Sequence, residues 1–144
     1  MNRTLIIIIS IILIICAIFL SMFYRNKQKY NEQQKFNIRY EKYLYNEILG
    51  TDIATIINQA VDDNEKAMVK KDENNKYIQN DINTVNIEIK ITEFAEEETY
   101  TMETLYNGGM NEFVKYYGQI KFKCDKIDYN SKGKVKYMLF EQVK

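Results

Sequence analysis

The stretch "LIIIISIILIICAIFLSMF", the nineteen residues from Leu5 to Phe23, constrains this chain more than any other feature. It holds no charged residue, and Ser10 and Ser21 are its only polar breaks. As a helix rising about 1.5 Å per residue it is roughly 29 Å long, which matches the ~30 Å hydrocarbon core of a bilayer. A core helix of a globular domain keeps a polar side, whereas this run is apolar all round. It reads as a transmembrane helix. A cleaved signal peptide fits worse, because the apolar region is too long and no small-x-small site follows it. Cys16 follows a bulky Ile instead of the small residue of a lipoprotein box, so it reads as one more apolar side chain. The expectation is an uncleaved single-pass anchor whose partner, through residues 5–23, is the lipid bilayer.

The charge pattern bounds the partners. The chain is formally neutral, with 20 basic and 20 acidic residues. Removing the first 24 residues takes away only Arg3, leaving the remainder at about −1. Such a balance gives no basic footprint for nucleic acid and no acidic tail. Nucleic acid is therefore not an expected partner, while protein partners or self-association stay open. Arg25, Lys27, Lys29, Lys35 and Arg39 follow the apolar run and only Arg3 precedes it. That bias favours a cytoplasmic C-terminal domain, although long domains translocate largely regardless of charge.

Missing residue types exclude chemistry. There is no His and no Trp, and beyond residue 24 there is one Cys (Cys124) and one Ser (Ser131). A Ser or Cys nucleophile activated by imidazole cannot be assembled. The common zinc sites lack their His and Cys ligands. Cys16 lies inside the apolar run and Cys124 far outside it, so no intramolecular disulfide is expected. No catalytic residue, cofactor-binding residue or metal ligand is assigned, and a non-enzymatic role is expected.

Residues 24–47 contain neither Gly nor Pro, which predicts that the anchor helix continues into a stalk. Its first part is polar all round; then Phe36, Tyr40, Leu44 and Ile48 recur at steps of four, with Tyr43 beside them. That stripe should lie against a folded domain. Gly50 suits the left-handed residue after a helix end, and Thr51 or Asp52 suits the cap of a second helix. Ile53, Ile56, Ile57, Ala60 and Val61 then form one helical face, and "DDNEKAMVKKDENN" reads as a polar loop. Phe36, Tyr40, Leu44, Ile48, Ile53 and Ile57 are the candidate packing or assembly residues.

Period-two patterns follow. Val85, Ile87, Ile89 and Ile91 alternate with Asn86, Glu88, Lys90 and Thr92, as in an antiparallel sheet with one wet face. "EFAEEE" (93–98) reads as a turn, and residues 98–106 as a strand with Tyr100, Met102, Thr104 and Tyr106 on one side. "NGG" (107–109) breaks it, and Met110, Phe113, Val114 and Tyr117 mark a short helix. Ile120, Phe122 and Cys124 open a hairpin whose turn is "NSKG", with Gly133 available for positive φ; its second strand is 134–143. The fold class expected is α+β: a transmembrane anchor (1–24), a helical stalk (25–49) and a domain (50–144). In that domain a short helix accompanies an antiparallel sheet of four or five strands with one inserted helix.

Two local motifs carry chemistry weakly. "DDNE" (62–65), "KDENNK" (71–76) and "QND" (79–81) offer oxygen ligands of the kind Ca²⁺ takes. Read as an EF-hand from Asp72, however, the loop has Lys76 and Tyr77 where an oxygen ligand and Gly belong, and Asn83 where Glu belongs. Asp and Asn are also ordinary turn formers. "NGGM" sits between a strand and a helix but lacks phosphate-loop spacing.

The layout of short N-tail, single long helix with an apolar first half, and sheet domain resembles type IV pilin-like proteins and pseudopilins. That resemblance implies a sheet packed on the second half of the helix, assembly with other subunits, and a domain outside the membrane. The family's processing site has Gly before the apolar run and Glu five residues into it; here no Gly precedes Gly50 and no acid precedes Glu32. The soluble part also looks like small membrane-anchored proteins of AT-rich Gram-positive bacteria. The function expected is a membrane-anchored cell-envelope structural or assembly component with an extracytoplasmic domain. The alternative is a tethered ligand- or peptide-binding module, cytoplasmic or external, with an anchored hydrolase a distant third.

Overall fold

The computed structural model describes residues 3–93 and 96–143. It forms two compact units, Met1–Lys35 and Phe36–Lys144.

The first unit is helical. Helix α1 (Arg3–Glu41) starts there, and every described side chain as far as Glu32 is exposed. Ser10, one of two polar residues in the apolar run, donates its hydroxyl to the Ile6 carbonyl at 2.9 Å. The helix thereby satisfies that group internally, as a helix in an apolar phase must.

The second unit begins with the last turns of α1. The helix ends at Glu41 instead of continuing to Leu49. Tyr43 and Leu44 donate to the Tyr40 and Glu41 carbonyls, three residues back, which tightens and terminates the last turn. The chain then turns to bring β1 (Ile48–Leu49) beside Phe122 and Lys121. Ile48 therefore belongs to a strand, and Leu44 to the bend before it.

Gly50 does not end the stalk; it opens α2 (Gly50–Lys66). A Cβ here would stand 2.0 Å from the carbonyl oxygen of Tyr117, so glycine is required by close approach of two backbones. The helix is capped at Leu49, not at Thr51 or Asp52. Its first amides are used by backbone: Gly50 donates to Ile120 and Thr51 to Gly118. Asp52 instead accepts from the Leu49 amide at 3.1 Å. The helix also runs through "DDNE" instead of fraying there. Asn64 follows Ala60 and Val61 at i+4 and i+3, extends the inward face, and is 0 % exposed.

The remaining elements are β2 (Asn86–Glu93), β3 (Glu96–Thr101), α3 (Met102–Gly108), α4 (Met110–Tyr117), β4 (Lys121–Tyr129) and β5 (Val135–Gln142). They make an α+β domain around a five-stranded sheet ordered β1-β4-β5-β2-β3. Ile87, Ile89, Ile91, Phe122, Met138 and Phe140 form its inner face and are buried against Ile53, Ile56, Ile57 and Ala60 of α2, Met102 of α3 and Phe113 of α4. The sheet is mixed, not wholly antiparallel: β2 and β5 pair in parallel, Ile87 opposite Met138 and Ile89 opposite Phe140. Alternation reports which face a residue takes and carries no sign of the neighbour's direction. The crossover through α3 and α4 places β4 away from β2, and β5 returns into the gap.

Two helices are inserted, not one, because residues 102–106 are helical. Thr101 ends β3 and caps α3, its hydroxyl accepting from the Thr104 amide. Met102 and Leu105, three apart, then face the core, a helical spacing that the period-two pattern of Met102, Thr104 and Tyr106 masks. Phe94 and Ala95, within the expected "EFAEEE" turn, lie outside the described residues; Glu93 pairs with Glu96 on either side. The "NSKG" turn forms as expected, with Gly133 at φ 72° and its amide donating to the Asn130 carbonyl at 2.8 Å.

Asn64 gives the sharpest stability prediction. Its side-chain nitrogen donates to the Val85 carbonyl and its oxygen accepts the Val85 amide, both at 2.8 Å. Asn64→Ala strands two buried backbone groups and should cost about 2–4 kcal/mol, read as a lowered melting temperature by circular dichroism of the detergent-solubilised chain. Asn58→Ala, on the exposed side of the same helix, should leave stability within about 0.5 kcal/mol.

Candidate functional site

The six candidate packing or assembly residues are consumed by the domain itself. Tyr40, Ile48, Ile53 and Ile57 are buried, and Phe36 and Leu44 pack partly covered against the same core. Phe36 and Leu44 keep part of their surface open.

Around Tyr40 the structure builds a polar cluster that periodicity does not reveal. Arg39 uses one guanidinium nitrogen to donate to both oxygens of Asp63, each at 3.0 Å. The Tyr40 hydroxyl donates to the same carboxylate at 2.7 Å. Burial first, and then the hydrogen bond to Asp63, push the Tyr40 pKa far above its ordinary value, so the phenol stays a donor. The Phe36 ring lies against Arg39, 5.0 Å from centroid to guanidinium carbon, and against the Lys134 ammonium at 3.7 Å. Burial lowers the Lys134 pKa, with Asp63 opposing that shift. Beside this cluster Asn37 donates to the Gly133 carbonyl at 2.8 Å and accepts the Val135 amide at 3.0 Å. The cluster therefore ties the end of α1 to α2 and to the β4–β5 hairpin. Its carboxylate is fully engaged, and its chemistry is that of a clamp. Only the adjacency of Asn37 and Arg39 to the Phe36/Tyr40 stripe signals it in the sequence.

Several carboxylates and amides of the oxygen-rich segments bond within the domain. Asp63 lies in α2 and is held as described. One oxygen of Asp72 accepts the amides of Asn74 and Lys76, both at 2.9 Å. Asn80 accepts those of Ile82 and Asn83. These are turn-forming uses of Asp and Asn. Among the described residues no group of three or more His, Cys, Asp or Glu side chains is placed to hold a metal ion. "NGGM" separates α3 from α4, with Gly109 at φ 97°.

On the outer face of the sheet Glu88, Lys90, Tyr137, Leu139 and Glu141 stay partly exposed. Lys90 bridges Glu97 at 2.8 Å and Glu141 at 3.1 Å, and the Tyr137 hydroxyl donates to Glu88 at 2.8 Å. Lys126 pairs with Asp128. Two shallow pockets open there. One, of about 360 Å³, is lined by Lys123, Cys124, Asp125 and Glu141; the other, of about 300 Å³, by Asn80, Asp81, Asp128, Lys136 and Tyr137. Hydrogen bonds from Ser131, and then Lys136, hold Asp81 below the usual carboxylate range. The sheet edges are guarded: β1 covers only Lys121 and Phe122 of β4, β4 is bulged at Asp125, and β3 carries Glu96, Glu97 and Glu98. Bulges and edge charges discourage strand pairing.

Cys124 borders the first pocket, but its side chain is buried in the core, on the strand position paired with Phe140. Burial pushes its pKa up to about 11, and its thiol donates to the Lys126 carbonyl. Against an ordinary value of 9.0, the thiolate fraction at pH 8 falls by about a hundredfold. In a Cys16→Ala background, a colorimetric disulfide reagent should modify Cys124 roughly a hundred times more slowly in the folded chain than in denaturant. Equal rates would mean that the thiol is open.

One long apolar surface remains. Within the first unit, residues 5–23 present Leu, Ile and Phe side chains that are all exposed. The helix is long and apolar enough to cross a membrane. Among known proteins, no family model, no curated sequence and no solved structure matches this chain.

Proposed function

We propose that the chain is a non-enzymatic, single-pass membrane-anchored protein of the cell envelope, inserted through residues 5–23, whose domain lies outside the membrane and works by contact with other proteins. The apolar run of α1 carries this reading. An apolar side chain left in water forgoes roughly 1.5–3 kcal/mol of burial, and this run leaves all of its large ones uncovered. A bilayer core supplies the missing environment at the matching length. A pilin-like subunit is the sharpest form of the reading, supported by one continuous helix whose apolar first half precedes the domain. The family's Gly and Glu are missing from the processing site, which counts against both peptidase processing and incorporation into a filament. The second reading, a tethered binding module, draws support from the outer sheet face and the two shallow pockets beside it.

After alkaline carbonate extraction the intact chain should stay in the membrane pellet, whereas Ile11→Lys combined with Ile14→Lys should release it, since a charge at mid-bilayer costs about 2.5–3.5 kcal/mol. Release of the unaltered chain would sink the anchor. Orientation follows from a Ser131→Cys chain that also carries Cys16→Ala and Cys124→Ala, because Ser131 lies exposed on the β4–β5 turn. An impermeant thiol reagent should label it in intact cells; labelling only after lysis would place the domain inside. Crosslinking in membranes should give oligomer ladders or a constant set of neighbours, and a lone monomer would favour the binding module.

A further inference from the structure

We propose that Arg25, Lys27 and Lys29 bind the phosphate headgroups of anionic phospholipids where the apolar run of α1 ends. This rests on residues 5–23 spanning the bilayer and adds which lipids the anchor selects. The run closes on Phe23 and Tyr24, 70 % and 63 % exposed, and Tyr is a residue type enriched at headgroup level. Three cations follow within five positions, spaced by Asn26 and Gln28, and no acid occurs before Glu32. All three are exposed. At about 100° per residue, Arg25 and Lys29 lie on one side of the helix and Lys27 on the other, so headgroups are met on both sides.

Among the described residues no ion pair supplies a counter-charge to these three, in contrast to Arg39, which Asp63 holds. Residues 1–35 carry five basic groups and one acidic group, so in a neutral chain the remainder is acidic by the same excess of four. The positive charge is thus concentrated beside the apolar run. Long Lys and Arg stems reach from the helix to the headgroups; a guanidinium fits two phosphate oxygens and an ammonium acts as a point charge. Each such contact strengthens association with an anionic surface on the order of fivefold.

The test uses the full chain reconstituted into phosphatidylcholine vesicles with trace spin-labelled phosphatidylcholine or phosphatidylglycerol. Electron paramagnetic resonance reads the fraction of each lipid immobilised by the protein. Phosphatidylglycerol should be preferred by about threefold or more. The preference should fall to parity in 1 M salt, where the Debye length is about 3 Å, and in the variant Arg25→Gln, Lys27→Gln, Lys29→Gln. A control of equal charge change, Lys70→Gln, Lys76→Gln, Lys132→Gln, should keep it. Parity in the unaltered chain, or loss in the control, overturns the proposal and leaves the three residues as topology signals. No immobilised lipid of either kind overturns the membrane span itself, and this proposal with it.

Discussion

The register between α2 and the sheet rests on a side chain acting as backbone. Asn64 lies at the inner face of α2 and bonds both the amide and the carbonyl of Val85, one residue before β2. A strand's faces exchange if it slips by one residue. Such a slip here would turn Ile87, Ile89 and Ile91 outward and bring Glu88 and Lys90 into an apolar core. The amide pair ties the strand to the helix at one point, in agreement with the hydrophobic pattern that decides which face is inside. β5 takes its place along β2 in parallel, β4 pairs with β5, and the short β1 pairs with β4.

The same device recurs at the other end of the core. Asn37 on α1 bonds the backbone at Gly133 and Val135, while Asp63 gathers Arg39 and Tyr40. A buried carboxylate left without a partner is costly, so its partners are fixed with it. Polar residues that could have been ligands are in this way spent on joining helices to strands. What remains for interaction is the outer sheet face, where opposite charges largely neutralise one another, and the exposed apolar helix. The two ask for different surroundings: water and polar partners for one, an apolar environment for the other.

Legibility followed the strength of the periodic signal. The Ile alternation in β2, the Ile face of α2, the Gly133 turn and the helix at 110–117 could all be read because many residues repeat one message. The end of α1 could not. Leu44 and Ile48 continue the four-residue stripe, yet they contact the core from a bend and a strand; burial is the same requirement in each case, and spacing alone does not separate them. Gly50 was legible as special but for another reason, since the crowding comes from Tyr117, far along the chain. The second half of α2 was hidden because Asn64 and Asp63 look solvated until their partners are known. The inward Met102 and Leu105 were hidden within a weaker alternation.

By itself the sequence determined a long apolar helix at the N-terminus, an α+β domain after it, and a residue inventory without imidazole. These depend on composition and on short-range periodicity, which each residue carries with it. Tertiary structure alone decided that β2 and β5 run parallel, that the acidic–amide segment at 62–65 is a helical clamp, and that the stalk stripe is spent inside the domain. Those outcomes depend on pairs separated by tens of residues, such as Asn37 with Val135 and Asn64 with Val85. A hydrogen bond is directional and needs both partners in place, so it exists only once the chain has folded.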